Sequence, residues 1–197
     1  MPRVEPLTRG ELAEFEPFFA GIEQALGFVP NSLLTLGRSP ALLRAFAGLS
    51  GAVLMQGQID RELKQLVAFV SSNAAGCRYC QAHTSHSAER LGVPLEKLQA
   101  AFEFETSPLF SAAERAALQL AQAAGLVPNA SRDDHFVELR RHFDETQIVE
   151  IVSVIALFGW LNRWNDTMAT ELESGPLAFA EANLARHGWK SGRHAAG

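Results

Sequence analysis

Apolar residues in this 197-residue chain recur at three- and four-residue steps and hardly ever alternate, which commits the chain to helices rather than sheet. Leu63, Leu66, Val67, Val70 and Ala74 form one such stripe within residues 61–75. The helix punctuation agrees with it. Thr8 to Glu11 and Ser111 to Glu114 fit the capping box, in which a hydroxyl and the acid three residues later satisfy each other's unpaired backbone N–H groups. Ser39-Pro40, Asp60, Ser131 and Asp144 are further start signals, and Gly27, Gly76, Gly92 and Gly125 fall where left-handed stops belong. About seven helices are predicted, in an all-α bundle. With 47% of its residues hydrophobic, a chain of this length can bury roughly 70% of its unfolded surface in one core. A single all-helical domain over 1–197 is therefore expected, with a cysteine-bearing core over about 40–125 and a C-terminal helical half over about 126–190.

The formal net charge is −5, and Lys and Arg are scattered, so no basic stripe is available to neutralise a nucleic-acid backbone. The longest apolar run, Ile148 to Leu161, is interrupted by Glu150 and Ser153, and the N-terminal stretch lacks an apolar signal region. The expectation is a protein with no nucleic-acid or membrane partner, in the cytoplasm. In that reducing compartment a close cysteine pair is more often catalytic or metal-binding than a permanent staple.

Both cysteines lie in Gly76 to His86, "GCRYCQAHTSH". Cys77, Cys80, His83 and His86 have the superficial spacing of a zinc site. Three-residue steps each rotate by about −60° on a helix, however, so His86 points away from Cys77 and no metal is expected. A redox dithiol fits the spacing better. Consecutive turns bring the two sulfurs within disulfide reach, and Cys80 lies one turn before His83. Gly76 ends the preceding helix, so both thiols fall in the first turn of the next, where unpaired N–H groups and the helix dipole favour thiolate. The plain alternative is a pair of small buried residues beside a satisfied histidine.

The segment "ELKQLVAFVSSNAAGCRYCQAHTSHSAERLG", Glu62 to Gly92, resembles the alkylhydroperoxidase D-like, or carboxymuconolactone decarboxylase-like, proteins: a helix, a Gly-Cys-x-x-Cys hinge and a histidine-bearing helix closed by glycine. Similarity to the family's peroxidase-related branch extends through "FSAAERAALQLAQAAG", "HFDETQIVEIVSVIALFGWLNRWNDTMATELE" and the closing Gly188-Trp189. The resemblance implies an all-helical fold and a cofactor-free dithiol peroxidase that works as a homo-oligomer on a hydroperoxide. Cys80 would attack the O–O bond, Cys77 would resolve the sulfenic acid to a disulfide, and a dithiol reductant would restore the pair. Two positions depart from the family pattern. The relay glutamate expected twelve residues before the first cysteine is Gln65, with Glu62 one turn earlier to take its place through a water, and the histidine stands one residue early, at His83. Competing readings are a lyase on a lactone or keto acid, with His83 as acid–base, and a redox-sensing oligomer without turnover.

A shift of 85 residues lays Asn162 and Asn165 on Cys77 and Cys80, and Glu150 on Gln65. This reads as a degenerate internal repeat, against the alternative of two helices with common patterning. Glu150, in an apolar run, needs a partner, and Arg163 is the expected one. Phe158, Trp160, Leu161 and Trp164 surround more than one side of their helix, as in a buried central helix or a subunit interface. The tail beyond Trp189 is expected to fray.

Overall fold

The stripe predicted over 61–75 becomes the central helix of a computed structural model, which describes residues 1–195. Ten α-helices form among the described residues. They are α1 (Glu16–Leu26), α2 (Asn31–Leu36), α3 (Pro40–Met55), α4 (Arg61–Ala75), α5 (Arg78–Arg90), α6 (Leu95–Ala100), α7 (Ala112–Gly125), α8 (Asp133–Leu139), α9 (Glu145–Met168) and α10 (Ser174–Asn183). Short 3₁₀ turns complete the chain, and no strand occurs among the described residues, as an all-α fold requires. The expected number of helices was too low because α2, α6 and α8 have only six or seven residues, too few for a periodic stripe to register.

Helix α4 buries Leu66, Val67, Ala68, Phe69 and Val70 against α7, α5 and α9. Each large apolar side chain so buried contributes roughly 1.5–3 kcal/mol. The facing side of α7 offers Ala116, Ala117 and Ala121, whose small side chains let the two backbones approach. Gly125 completes that approach. It does not adopt the left-handed stop expected of it; a Cβ there would stand 2.6 Å from the Ser71 carbonyl oxygen, so close packing rather than backbone conformation requires glycine. A second apolar cluster, with Leu12, Phe15, Phe19, Leu33, Leu36 and Leu43 at its centre, layers the N-terminal segment over the rest.

Both capping boxes form as expected, and Asp144 caps α9 through the Gln147 N–H. Ser39 and Asp60 occupy the N-cap positions of α3 and α4 without a side-chain cap bond. Ser131 does not start α8; its hydroxyl bonds Asn129, and Arg132 stands at the cap. Helix α9 runs 24 residues unbroken, straight through the point where the first repeat would place a hinge. Its all-round apolarity follows from its neighbours: α3, α4, α5 and α7 pack on it, while Val149, Val152 and Trp160 keep an exposed edge.

Glu150 does not pair with Arg163. Its carboxylate accepts the Gln58 and Ile59 N–H groups at 2.8 and 3.0 Å and lies 3.3 Å from Lys64 Nζ. Burial works against its charge, but the two amides and Lys64 outweigh it and lower its pKa. Lys64, fully buried on α4, also donates to the carbonyls of Val53 and Gln56. One cation thus fixes the α3–α4 loop onto α9, a connection that the spacing of Glu150 and Arg163 on their own helix could not reveal.

Two stability measurements test this packing. Gly125→Ala should lower stability by about 1–3 kcal/mol in urea melts, because overpacking against Ser71 exceeds the gain of about 1 kcal/mol in helix propensity. Equal or greater stability would show that α7 and α4 can part at no cost. Lys64→Met should cost about 3–5 kcal/mol by leaving Glu150 and the carbonyls of Val53 and Gln56 without their cation. A loss below about 1 kcal/mol, the scale of an exposed pair, would remove Lys64 from that role.

Candidate active site

The site begins where α4 stops. Gly76 turns left-handed at φ 77°, so α4 cannot continue, and the Cys77 N–H folds back to the Ser72 carbonyl at 3.2 Å. Cys77 then becomes the N-cap of α5, with φ −78° and ψ 106°, and its Sγ accepts the Cys80 N–H at 3.5 Å. The sulfur takes the place of a serine or aspartate oxygen at a helix start, where the partial positive charge of the first turn faces it. Cys80 lies one turn on, and its Sγ accepts a hydrogen bond from Asn165 Nδ2 at 3.5 Å. Both thiols are free and buried, at 1% and 2% exposure. Burial and the neighbouring Cys77 push the Cys80 thiol well above the usual range, with the Asn165 hydrogen bond opposing them.

His83 follows on the same helix, and its Nε2 donates to Glu173 Oε2 at 2.6 Å. The ring stacks on Tyr79, with centroids 4.2 Å apart and planes 21° apart, and meets Phe28 edge-on. Tyr79 donates its hydroxyl to Glu173 Oε1 at 2.9 Å, and the Asn31 N–H reaches the same oxygen at 2.5 Å. Three donors, two from α5 and one from the start of α2, therefore converge on one largely buried carboxylate. Burial alone would raise the Glu173 pKa, but the His83 ring and the Asn31 amide reverse this and hold it below the usual range. The Tyr79 phenol is pushed well up by burial and by the Glu173 charge, so it stays protonated and donates.

The carboxylate bonded to His83 is thus neither Glu62 nor a residue at position 65. Glu62 is exposed on the first turn of α4, where Gly92 just beyond α5 is its neighbour, and Gln65 is half-buried one turn further on. Helix α4 rises about 20 Å between Glu62 and Ala75, so Glu62 sits at the opposite end of the α4–α5 pair from the hinge. Among the described residues neither side chain hydrogen-bonds His83 or a thiol. His86, the fourth residue of the superficial zinc pattern, turns away to pack between Phe28 and Phe179.

Sequence reasoning missed a second group of residues beside Cys77. Over its described residues, 190–195, the tail beyond Trp189 is docked rather than frayed: Trp189 Nε1 donates to the Arg78 carbonyl at 3.2 Å, and the Leu172 N–H donates to the His194 carbonyl at 3.0 Å. Residues 196–197 lie outside the described residues. His194 is 1% exposed, with Nδ1 2.8 Å from the Thr170 carbonyl and Nε2 3.2 Å from Asp166 Oδ1. A carbonyl only accepts, so Nδ1 carries a proton and donates it. One ligand atom from each of Cys77, Asp166 and His194 lies within 4.8 Å of the others, the one such three-donor set among the described residues. It supplies three of the four ligands a closed structural zinc needs. The shift of 85 residues had laid Asn165 on Cys80, and those two side chains do touch. No comparable signal marked Glu173 or His194.

Residues 40–123 match the carboxymuconolactone decarboxylase family. The debrominase Bmp8, solved as a Cys→Ala variant in complex with 2,3,4-tribromopyrrole, is 44% identical, with a TM-score of 0.86 covering 91% of this chain and 96% of its own. YdfG, an uncharacterized protein of Bacillus subtilis, is 30% identical over 112 residues, 56% of this chain and 74% of YdfG. A peroxidase-related protein with an alkylhydroperoxidase AhpD core from Ralstonia eutropha shares the fold at 23% identity, with a TM-score of 0.73 over 85% of this chain and 88% of its own. With the family's pattern over the hinge and its two helices, and the alkylhydroperoxidase D-like fold over most of its length, the chain belongs to the carboxymuconolactone decarboxylase family.

Proposed function

We propose that the protein is a cofactor-free dithiol reductase, in which Cys77 and Cys80 deliver two electrons to an electrophilic atom of the substrate and end as a disulfide. The observation that carries this reading is the pair itself: two free thiols on consecutive turns of one helix start, one capping the helix and the other held by Asn165. A separate dithiol reductant, as found in a cytoplasm, would restore them by exchange. His83 and Tyr79, both fixed as donors on Glu173, supply proton-handling groups on the same helix as the thiols.

Two substrate classes fit the same half-reaction. The 44% identity with a debrominase favours a halogenated heteroaromatic: ring carbon gains hydrogen, halide leaves, and the dithiol becomes a disulfide. The peroxidase-related fold favours a hydroperoxide: thiolate takes the terminal oxygen, alkoxide leaves as alcohol, and the second thiol expels water from the sulfenic acid. Assembly as a homo-oligomer belongs to the proposal, with Val149, Val152 and Trp160 offering exposed apolar surface on α9.

The discriminating assay follows reductant consumption with a brominated pyrrole and with organic hydroperoxides. Turnover of one class that is lost in both Cys77→Ser and Cys80→Ser supports the reading and names the substrate. Reaction of neither class, with zinc bound at one per chain and lost on Cys77→Ser, would turn the site into a metal centre.

Glu173 gives a prediction with two readouts. Glu173→Gln should slow turnover about 10²-fold, the lower end of general acid–base effects, because His83 loses its charged partner. Since the folded Glu173 pKa is lowered, its stabilisation is present above the usual carboxylate value of 4.5 and is lost as pH falls through the folded value. The variant should therefore lose less stability than the parent as pH falls below about 4.5, with the two proteins keeping parallel stabilities between there and neutral pH. Identical pH dependence in the two proteins would show that the carboxylate is not held ionised by this network.

A further inference from the structure

A cavity of about 320 Å³ opens between the C-terminal end of α4, the last turns of α9 and the docked tail. Arg3, Arg163 and Arg193 line it, with Asp166 as its one carboxylate and Ala75, two residues before Cys77, in its wall. The Asn162 side chain also lines it. That side chain is 5% exposed, and neither its Nδ2 nor its Oδ1 has a hydrogen-bond partner. A buried amide with both ends unpaired is costly unless something in the cavity satisfies it. Asp166 links this cavity to the chemistry: it lies both in the cavity wall and within 4.8 Å of Cys77 Sγ.

We infer that this cavity is the substrate site of the dithiol, that it takes a compact molecule carrying a negative charge near its reactive atom, and that Cys77 is the sulfur which attacks. This rests on the dithiol reading proposed above and adds the substrate's charge and the order of the thiols. Three guanidinium groups against one carboxylate leave the rim net positive, and that carboxylate already faces His194 and Arg193. Arg163 makes no side-chain hydrogen bond among the described residues, so its guanidinium is available to an anion. Asn162 then donates from Nδ2 to the bound molecule or accepts at Oδ1. The order of attack is the reverse of the one suggested by the spacing of His83. Its reason is local: Cys77 Sγ lies within 4.8 Å of Asp166, a residue of the cavity wall, and receives the Cys80 N–H, whereas Cys80 faces Asn165.

The test compares two alkylating reagents of similar size, iodoacetate and iodoacetamide, on the reduced protein. Each forms an S–C bond, releases iodide and sends the thiol proton to solvent, but only iodoacetate is an anion. Relative to the same ratio for glutathione, the iodoacetate to iodoacetamide rate ratio should be about tenfold higher, the lower range of electrostatic focusing by a charged cleft. It should fall toward the glutathione value in about 1 M salt, where the Debye length is only about 3 Å. Peptide mass analysis should find the label on Cys77 first. Arg163→Gln and Arg193→Gln, both changes of exposed side chains, should each lower the ratio severalfold. A ratio no higher than that of glutathione, a ratio blind to salt and to both substitutions, or a label on Cys80 ahead of Cys77 overturns the inference. The assay uses neither a peroxide nor a bromoarene, so its failure is distinct from failure of the dithiol reading itself.

Discussion

The site depends on one backbone event, the left-handed turn at Gly76. A residue with a Cβ pays about 1–2 kcal/mol for that conformation, and glycine does not. Because the turn stops α4 there, the next residue must start α5, and the next residue is a cysteine. Cys77 therefore meets the unpaired N–H groups of a helix start, and Cys80 is carried one turn behind it. Had α4 run on unbroken, as α9 does at the corresponding place 85 residues later, the sulfurs would sit inside a helix with no free donor to face them.

Around that turn, the support comes from distant parts of the chain. Glu173, at the start of α10, gathers donors from α5 and from the start of α2, so it joins the N-terminal layer to the cysteine helix. Asn165 reaches Cys80 from α9, and His194 and Asp166 close on Cys77 from the tail and α9. Lys64 does comparable work away from the chemistry, holding the α3–α4 loop and Glu150 together. Buried polar groups of this kind cost free energy unless each finds its partner, which rigidifies the positions around the thiols.

The parts of this arrangement that were legible in the sequence are the local ones. The α4 stripe, the Gly76 break, the two capping boxes and the thiols at a helix start all follow from residues within one or two turns of each other. Periodicity and capping chemistry act over that range. Long-range partners left weaker traces. Glu62 and Gln65 looked suited to His83 because they share its neighbouring helix, yet Glu62 lies at the far end of that helix pair, and the carboxylate that bonds His83 comes from 90 residues away. Arg163 looked suited to Glu150 because both lie on one helix, and a lysine from another helix holds it instead. The tail looked loose because it is rich in glycine and histidine, although Trp189 and His194 anchor it. Only the internal echo crossed this barrier, since it matched Asn165 to Cys80 and the two meet in the fold.

The central claim is that the two thiols form one two-electron unit. Intact-mass and peptide-mass measurement of the reduced protein, after reaction with one equivalent of the substrate it turns over, tests this most directly. The account predicts loss of two hydrogens for each product formed, with Cys77 and Cys80 cross-linked to each other in the same chain and the parent mass restored by a dithiol. Product formation with both thiols intact, or with a disulfide joining two chains in place of the internal one, would contradict it.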